Sequence, residues 1–315
     1  MLMNGVWQEK WQPVQAKDEQ GRFIRQDSSF RHWITPDGAP GPTGSGGFKA
    51  EPGRYHLYIG YICPWASRTL MVRQLKGLQD IIGVTVVNPR LTDQGWQFGG
   101  FPGADEDSLT GARYLHELYT RADPQVSGRA TVPVLWDKQT GTIVNNESAD
   151  IVRMFNDAFS YLVDQGPDLY PQVLATEIDA LNQAIYTDLN NGVYQAGFAS
   201  SQQAYEEAYT RVFAKLDELE SRLSDGRRYL FGETLTETDI RLFVTLIRFD
   251  VAYHGLFKCN RNTLRSMTAL HDYLHRILAL EGIANTVQLD HIKAGYYSIE
   301  ALNPSGIVPA GPDAI

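Results

Sequence analysis

The chain has 315 residues, with 28 Lys and Arg against 37 Asp and Glu and a formal net charge of -9. That length predicts two domains, or one large domain with an extension, and the acid excess, with no cluster of Lys and Arg, argues against a nucleic-acid surface. Two cysteines far apart, no basic-then-apolar leader and no apolar run of membrane-spanning length predict a cytoplasmic protein in a reducing compartment, with no membrane partner.

Residues 1–50 are rich in Gly, Pro and polar groups with Trp7, Trp11, Phe23, Phe30 and Trp33 interspersed, and the stretch Gly38-Ala39-Pro40-Gly41-Pro42-Thr43-Gly44 excludes regular structure there. This predicts an arm that packs through its aromatics. A strand follows over 55–60, and then a helix over 64–78.

Cys63 stands at that junction, with Pro64 suited to the first helical position because its missing N–H would have no partner there. A thiol at a helix start meets unpaired N–H groups and the positive end of the helix dipole, both of which favour thiolate. Ala66 occupies the place of a second cysteine in a dithiol motif. Redox chemistry at Cys63 must then be monothiol, through a mixed disulfide released by an external thiol. The local pattern equally allows a buried cysteine acting as a small hydrophobe.

Further along, the pattern predicts a strand over 82–87, a helix over 111–122, strands at 131–136 and 142–144 joined by a turn at Gly141, and a helix from Ser148 to about Phe159. This βαβ unit, hairpin and closing helix is the order of a thioredoxin-like domain, here 51–160. Val132-Pro133 at a strand start suggests a cis bond. Ser148 is expected to cap its helix, whose N-terminus could receive a carboxylate.

Beyond Pro171 the strand signal gives way to amphipathic helices over 174–186, 201–224, 237–253 and 264–280, which predicts an all-helical domain at 161–315. Thr236-Glu237-Thr238-Asp239 has the layout of a capping box. His271 and His275 share a helix face but lack a third metal ligand, so an exposed face is expected, and Cys259 reads as a packing residue.

These motifs together resemble the glutathione transferases and, more specifically, the glutathionyl-hydroquinone reductases of the Xi class, over nearly the whole chain. The resemblance is carried by Cys63-Pro64-Trp65-Ala66, Thr131-Val132-Pro133-Val134-Leu135-Trp136-Asp137-Lys138, Asn145-Asn146-Glu147-Ser148, the segment Asn190 to Phe198, Arg248-Phe249-Asp250, Phe257-Lys258-Cys259 and Asn303-Pro304-Ser305-Gly306-Ile307. One departure is Ser67, where the family commonly has His.

The resemblance implies an α/β plus all-α fold, with a thioredoxin-like N-terminal domain and an all-helical glutathione-transferase domain. It also implies reductive removal of glutathione from glutathionyl-hydroquinones, with glutathione as co-substrate and no bound cofactor or metal, in a homodimer. Cys63 would be the nucleophile, and Tyr194, Tyr253 and Tyr296 would serve the leaving hydroquinone. Glu147 and Ser148 would hold the γ-glutamyl end of glutathione, Val132 and Pro133 its cysteinyl backbone, and Trp96 and Arg129 the remaining length. An omega-like thiol transferase or dehydroascorbate reductase, or a non-catalytic protein of the same fold, stands as the alternative.

Overall fold

The computed structural model describes residues 1–8, 16–164 and 166–312; Trp11 lies outside them. The chain forms two compact units, one of Met1–Pro13, Asp27–Pro167 and Thr286–His291, the other of Val14–Gln26, Asp168–Asn285 and Ile292–Ile315.

The first unit is built on a four-stranded sheet in the order β4-β3-β5-β6, from β3 (Tyr55–Ile59), β4 (Gly83–Val86), β5 (Val134–Asp137) and β6 (Thr142–Asn145). β3 is parallel to β4, with Leu57 opposite Val84, and antiparallel to β5, with Leu57 opposite Leu135. Tyr55, Leu57, Tyr58 and Ile59 are all buried, as a strand covered on both faces requires. The parallel pair needs a crossover, and α1 (Pro64–Leu75) supplies it. α1 packs against α3 (Ser148–Asp157), while α2 (Leu115–Ala122) lies against β6.

The sheet's far end is locked by an ion pair. Arg54 donates to Asp137 through Nε at 2.9 Å and Nη2 at 2.7 Å. Burial pushes the Asp137 carboxyl up, but the bonds from Arg54, Thr140 and Gln139 N–H outweigh it and hold the group below its ordinary value. The predicted strands and helices of this unit are all present, with shifted ends. The helix expected from Gly111 begins at Leu115, and the strand expected from Thr131 begins at Val134. The missing strand residues include the Val132–Pro133 bond, which is cis. Two short strands, β1 (Leu2–Met3) and β2 (Val6–Trp7), pair with each other near the chain start.

The second unit is helical: α4 (Ala175–Ile185), α5 (Gly192–Gly197), α6 (Gln202–Leu223), α7 (Glu237–Arg248), α8 (Thr268–Leu278) and the end of α9 (Leu289–Tyr296). Two π-helical turns are present: Tyr186–Asn190 extends beyond the end of the helix predicted over 174–186, and Phe249–Tyr253 replaces the last turn of the regular helix predicted over 237–253. Asn190 pins the first of them to α7, donating to Arg241 C=O at 2.9 Å and Thr245 Oγ1 at 2.7 Å. Asp250 holds the second, accepting from Leu264 N–H at 2.7 Å. The capping box of α7 forms as expected: Asp239 accepts from Thr236 N–H at 2.8 Å and also from Leu230 N–H at 2.9 Å and Tyr273 Oη at 2.8 Å. Those three bonds allow a carboxyl group to sit wholly enclosed in the helical core.

Candidate active site

Cys63 is the N-cap residue of α1, in extended backbone, and Pro64 takes the first helical position. Its N–H donates to Gly60 C=O at 2.9 Å and its C=O accepts from Ser67 N–H at 3.0 Å, which fixes the turn between β3 and α1. The thiol is half-buried, and its Sγ donates to Val132 C=O at 3.5 Å. Gly60 matters to this closeness, because a Cβ there would come within 3.0 Å of Val87 Cγ2 and 3.7 Å of Val132 Cγ2. The structure thus brings together the thiol and the carbonyl of the residue before Pro133.

The second motif is built differently from the sequence expectation. Glu147, not Ser148, caps α3: its side chain accepts from Ala149 N–H at 3.1 Å, and Ser148 is already helical. Glutamate is uncommon as a cap because its side chain is a methylene longer than aspartate's. Here Ser28 steadies it, donating through Oγ to Glu147 Oε2 at 2.9 Å. Asn145 Oδ1 accepts from Glu147 N–H at 2.7 Å, and Asn145 Nδ2 donates to Asp150 Oδ2 at 3.1 Å. Arg31 pairs with the same Asp150, with an Nη2 bond of 2.9 Å. Residues 28–32 therefore lie along the end of β6, where His32 N–H donates to Val144 C=O at 3.0 Å and Asn146 N–H to Phe30 C=O at 3.1 Å. The arm supports this part of the site as well as packing through its aromatics.

Tyr119, on α2, ties both motifs to one hydroxyl. It donates to Thr131 C=O at 2.8 Å and accepts from Thr131 N–H at 3.1 Å and Asn146 Nδ2 at 3.0 Å. The phenol is buried, which pushes its pKa up, and Phe30 meets its ring edge-on at 5.6 Å. Thr131 immediately precedes Val132, and Asn146 immediately precedes Glu147. No sequence signal marked Tyr119, since a tyrosine in an amphipathic helix reads as packing.

Trp96 and Arg129 lie on connecting segments. Trp96 is half-buried in the loop before α2, with its C=O accepting from Leu115 N–H at 2.9 Å. Arg129 is half-exposed just ahead of Thr131. The N-terminal ammonium of Met1 is lowered to about 6, first by burial and then by the positive charge of Arg129.

In the helical unit Tyr194, Tyr253 and Tyr296 do come together. Tyr296 Oη lies 2.5 Å from Tyr194 Oη and 2.9 Å from Tyr253 Oη. Tyr253 and Tyr296 are buried, and desolvation, reinforced by the neighbouring phenols, raises both well above the usual tyrosine value. Tyr253 and Tyr296 stay neutral, and each of the two hydroxyl–hydroxyl bonds of the cluster uses one phenol proton. Tyr194 is the half-exposed member. Phe257 stacks on Tyr253 at 5.1 Å and meets Tyr194 at 5.3 Å, and only glycine at 197 permits this, since a Cβ there would fall 2.4 Å from the Phe257 ring. Tyr297, next to Tyr296 in sequence, instead has its hydroxyl beside Gly255.

Cys259 is fully buried, and desolvation pushes its thiol up to about 12. His271 and His275 face each other on α8 with Nε2 atoms 3.2 Å apart. Among the described residues no group of three or more His, Cys, Asp or Glu is placed to hold a metal, and no helix is long and apolar enough to cross a membrane.

Residues 62–158 match the family model of the glutathione S-transferase N-terminal domain, and residues 202–276 that of the C-terminal domain. The chain is 52% identical over 313 residues to glutathionyl-hydroquinone reductase YqjG of Escherichia coli, covering 99% of this chain and 94% of that protein. The glutathione-bound structure of YqjG superposes with a TM-score of 0.91, at 99% coverage of this chain and 95% of that one. Glutathionyl-hydroquinone reductase PcpF of Sphingobium chlorophenolicum is 46% identical, over 99% of this chain and 96% of its own. The crystal structure of glutathione-S-transferase Xi from Phanerochaete chrysosporium is 49% identical with a TM-score of 0.88, covering 92% of this chain and 98% of that one.

Two outcomes follow from this geometry. Iodoacetamide at neutral pH is expected to alkylate the native protein at Cys63 and to reach Cys259 only in denaturant; mass spectrometry showing equal native labelling would contradict the burial of Cys259. Tyr119→Phe, which leaves the bond partners at Thr131 and Asn146 without their hydroxyl, is expected to cost about 2 kcal/mol in urea unfolding. A loss below about 0.5 kcal/mol would mean that the hydroxyl bonds contribute little net stability.

Proposed function

The chain belongs to the glutathione S-transferase family, and from that membership we propose that it is a glutathionyl-hydroquinone reductase of the Xi class, working through Cys63. The observation that carries the reading is the pairing of a helix-capping thiol with the carbonyl of Val132, alongside full-length similarity to proteins of that name.

Glutathione is the co-substrate. A glutathionyl group bound as an extended peptide would offer its cysteinyl N–H to Val132 C=O, the acceptor that Cys63 Sγ occupies here. Its γ-glutamyl end is assigned to the start of α3, where the first helical N–H groups and Glu147 give complementary partners for a carboxylate and an ammonium. Trp96 and Arg129 are assigned to the rest of the tripeptide, Arg129 offering a forked cation for a carboxylate.

In the first half-reaction the Cys63 thiolate attacks the glutathione sulfur. The glutathionyl-hydroquinone reacts as its keto tautomer, in which the carbon bearing sulfur already holds a proton; a sulfur–sulfur bond forms, the carbon–sulfur bond breaks, and its electron pair passes through the ring to oxygen as a phenolate, which takes up one proton. In the second, the thiolate of another glutathione attacks the mixed disulfide, releasing oxidised glutathione and regenerating Cys63. Two thiols supply both electrons. Tyr194, Tyr253 and Tyr296 are assigned to the ring oxygens: the cluster, in which burial keeps Tyr253 and Tyr296 neutral, donates hydrogen bonds and then a proton to the oxygen that gains electron density as the carbon–sulfur bond breaks.

The reading is tested by incubating the protein with glutathionyl-menadiol and glutathione. Menadiol and oxidised glutathione are expected in equal amounts, with Cys63→Ser lowering turnover about a thousandfold or more while glutathione still binds by calorimetry. Reduction of dehydroascorbate in place of menadiol release would favour the omega-like alternative. Tyr296→Phe is expected to slow menadiol release about a hundredfold and to leave reduction of a simple glutathione mixed disulfide, whose leaving group is a thiol, within about twofold. Equal losses on both substrates would remove the tyrosines from the proton-handling role.

A further inference from the structure

The tyrosine cluster has a charged neighbour that belongs to none of the motifs. Residues 16–24 form a hairpin in which Lys17 bridges Phe23, Ile24 N–H donates to Ala16 C=O at 2.8 Å, and Asp18 Oδ1 accepts from Arg22 N–H at 2.8 Å. The hairpin is fastened to the start of α6. Ser201 Oγ donates to Gln20 C=O at 2.7 Å, Ser200 N–H to Gly21 C=O at 3.1 Å, and Arg22 pairs with Glu207 through Nε at 2.9 Å and Nη2 at 3.2 Å. Gly21 turns the chain at φ +81°, and a Cβ there would lie 2.6 Å from Ser200 Oγ.

This fastening delivers two side chains to Tyr194. Phe23 stacks on Phe198 at 5.7 Å and on Tyr194 at 6.3 Å. The guanidinium carbon of Arg25 lies 5.0 Å from the Tyr194 ring centroid and 5.4 Å from that of Phe23, while its Nε donates to Asn191 Oδ1 at 3.0 Å, just ahead of α5. The ring is therefore held by an aromatic stack and by a cation aimed by a hydrogen bond.

A cation over an aromatic face is attracted to the ring's electron density, and the attraction grows as the phenol oxygen gains negative charge. The phenols of Tyr253 and Tyr296, both held neutral, also lie against Tyr194. Arg248, buried on α7, acts electrostatically on Tyr253 and Tyr296. Arg25 is the cation seen over the Tyr194 ring itself.

We infer that Arg25 is a positioning residue for hydroquinone release: it fixes the Tyr194 ring and favours the negative charge that gathers on Tyr194 Oη as the cluster hands a proton toward the departing hydroquinone. This rests on the proposed reductase reading. The segment that reads in sequence as an irregular arm is then part of the catalytic apparatus of the helical unit.

The test compares wild type, Arg25→Met and Arg25→Lys on glutathionyl-menadiol and on a simple glutathione mixed disulfide, across pH 6 to about 10. Arg25→Met is expected to lower kcat for menadiol release about tenfold, with KM changed less than about threefold, and to move the alkaline limb of the pH profile upward, because a phenol without the cation is harder to ionise. Arg25→Lys, which restores the charge, should recover part of the rate and return the limb toward wild type. Disulfide reduction should stay within about twofold of wild type in both variants. Unchanged menadiol release in Arg25→Met, equal losses on the two substrates, or Arg25→Lys behaving as Arg25→Met would each overturn the assignment. A wild-type protein that releases no menadiol at all would overturn the reductase reading itself.

Discussion

The thiol-bearing unit depends on the Tyr119 hydroxyl. Its three hydrogen bonds join the residue before Val132 to the residue before Glu147, so the two backbone segments assigned to glutathione share one anchor. Enclosed in the core, each bond is stronger than it would be at the surface, and each group deprived of it would be left to a site with little water. A thioredoxin-like sheet alone would place the Val132 and Glu147 loops near the ends of their strands. Tyr119 sets how far apart their backbones stand.

The helical unit solves a different problem, which is how to keep three phenols in contact without paying for three unpaired hydroxyl groups. Tyr296, the middle member of the three hydroxyls, partners both others, and the aromatic ring of Phe257 closes over them. The two π turns serve this arrangement. Each has an i to i+5 spacing that displaces the following residues relative to a regular helix, and Tyr253 is the last residue of one while Tyr194 follows the other by a single turn. A regular helix through either segment would aim those rings elsewhere.

Much of this was legible in the residues. The alternation of strand and helix, Cys63 before Pro64, Val132 before Pro133 and the Thr236–Asp239 cap are local patterns, set by neighbours in sequence, and they appear where read. The misreadings have a common cause in long-range partners. Glu147 displaces Ser148 as the cap because Ser28, distant in sequence, steadies its longer side chain. The strand expected from Thr131 starts three residues late because Thr131 bonds to Tyr119 rather than to a neighbouring strand. Arg25 was hidden for the same reason: a lone arginine in a polar arm gives no hint that a hairpin clasp will carry it to an aromatic ring.

The burial of Cys259 bears on how the protein would stall. Cys63 has no second cysteine beside it, and the other thiol of the chain is sealed in apolar packing and pushed toward the neutral form. A covalent glutathione adduct on Cys63 therefore has a single exit, through a thiol arriving from solution. When such thiols run short, the enzyme is left capped: shielded from deeper oxidation of its sulfur, silent toward its substrate, and ready to resume when the thiol pool is restored.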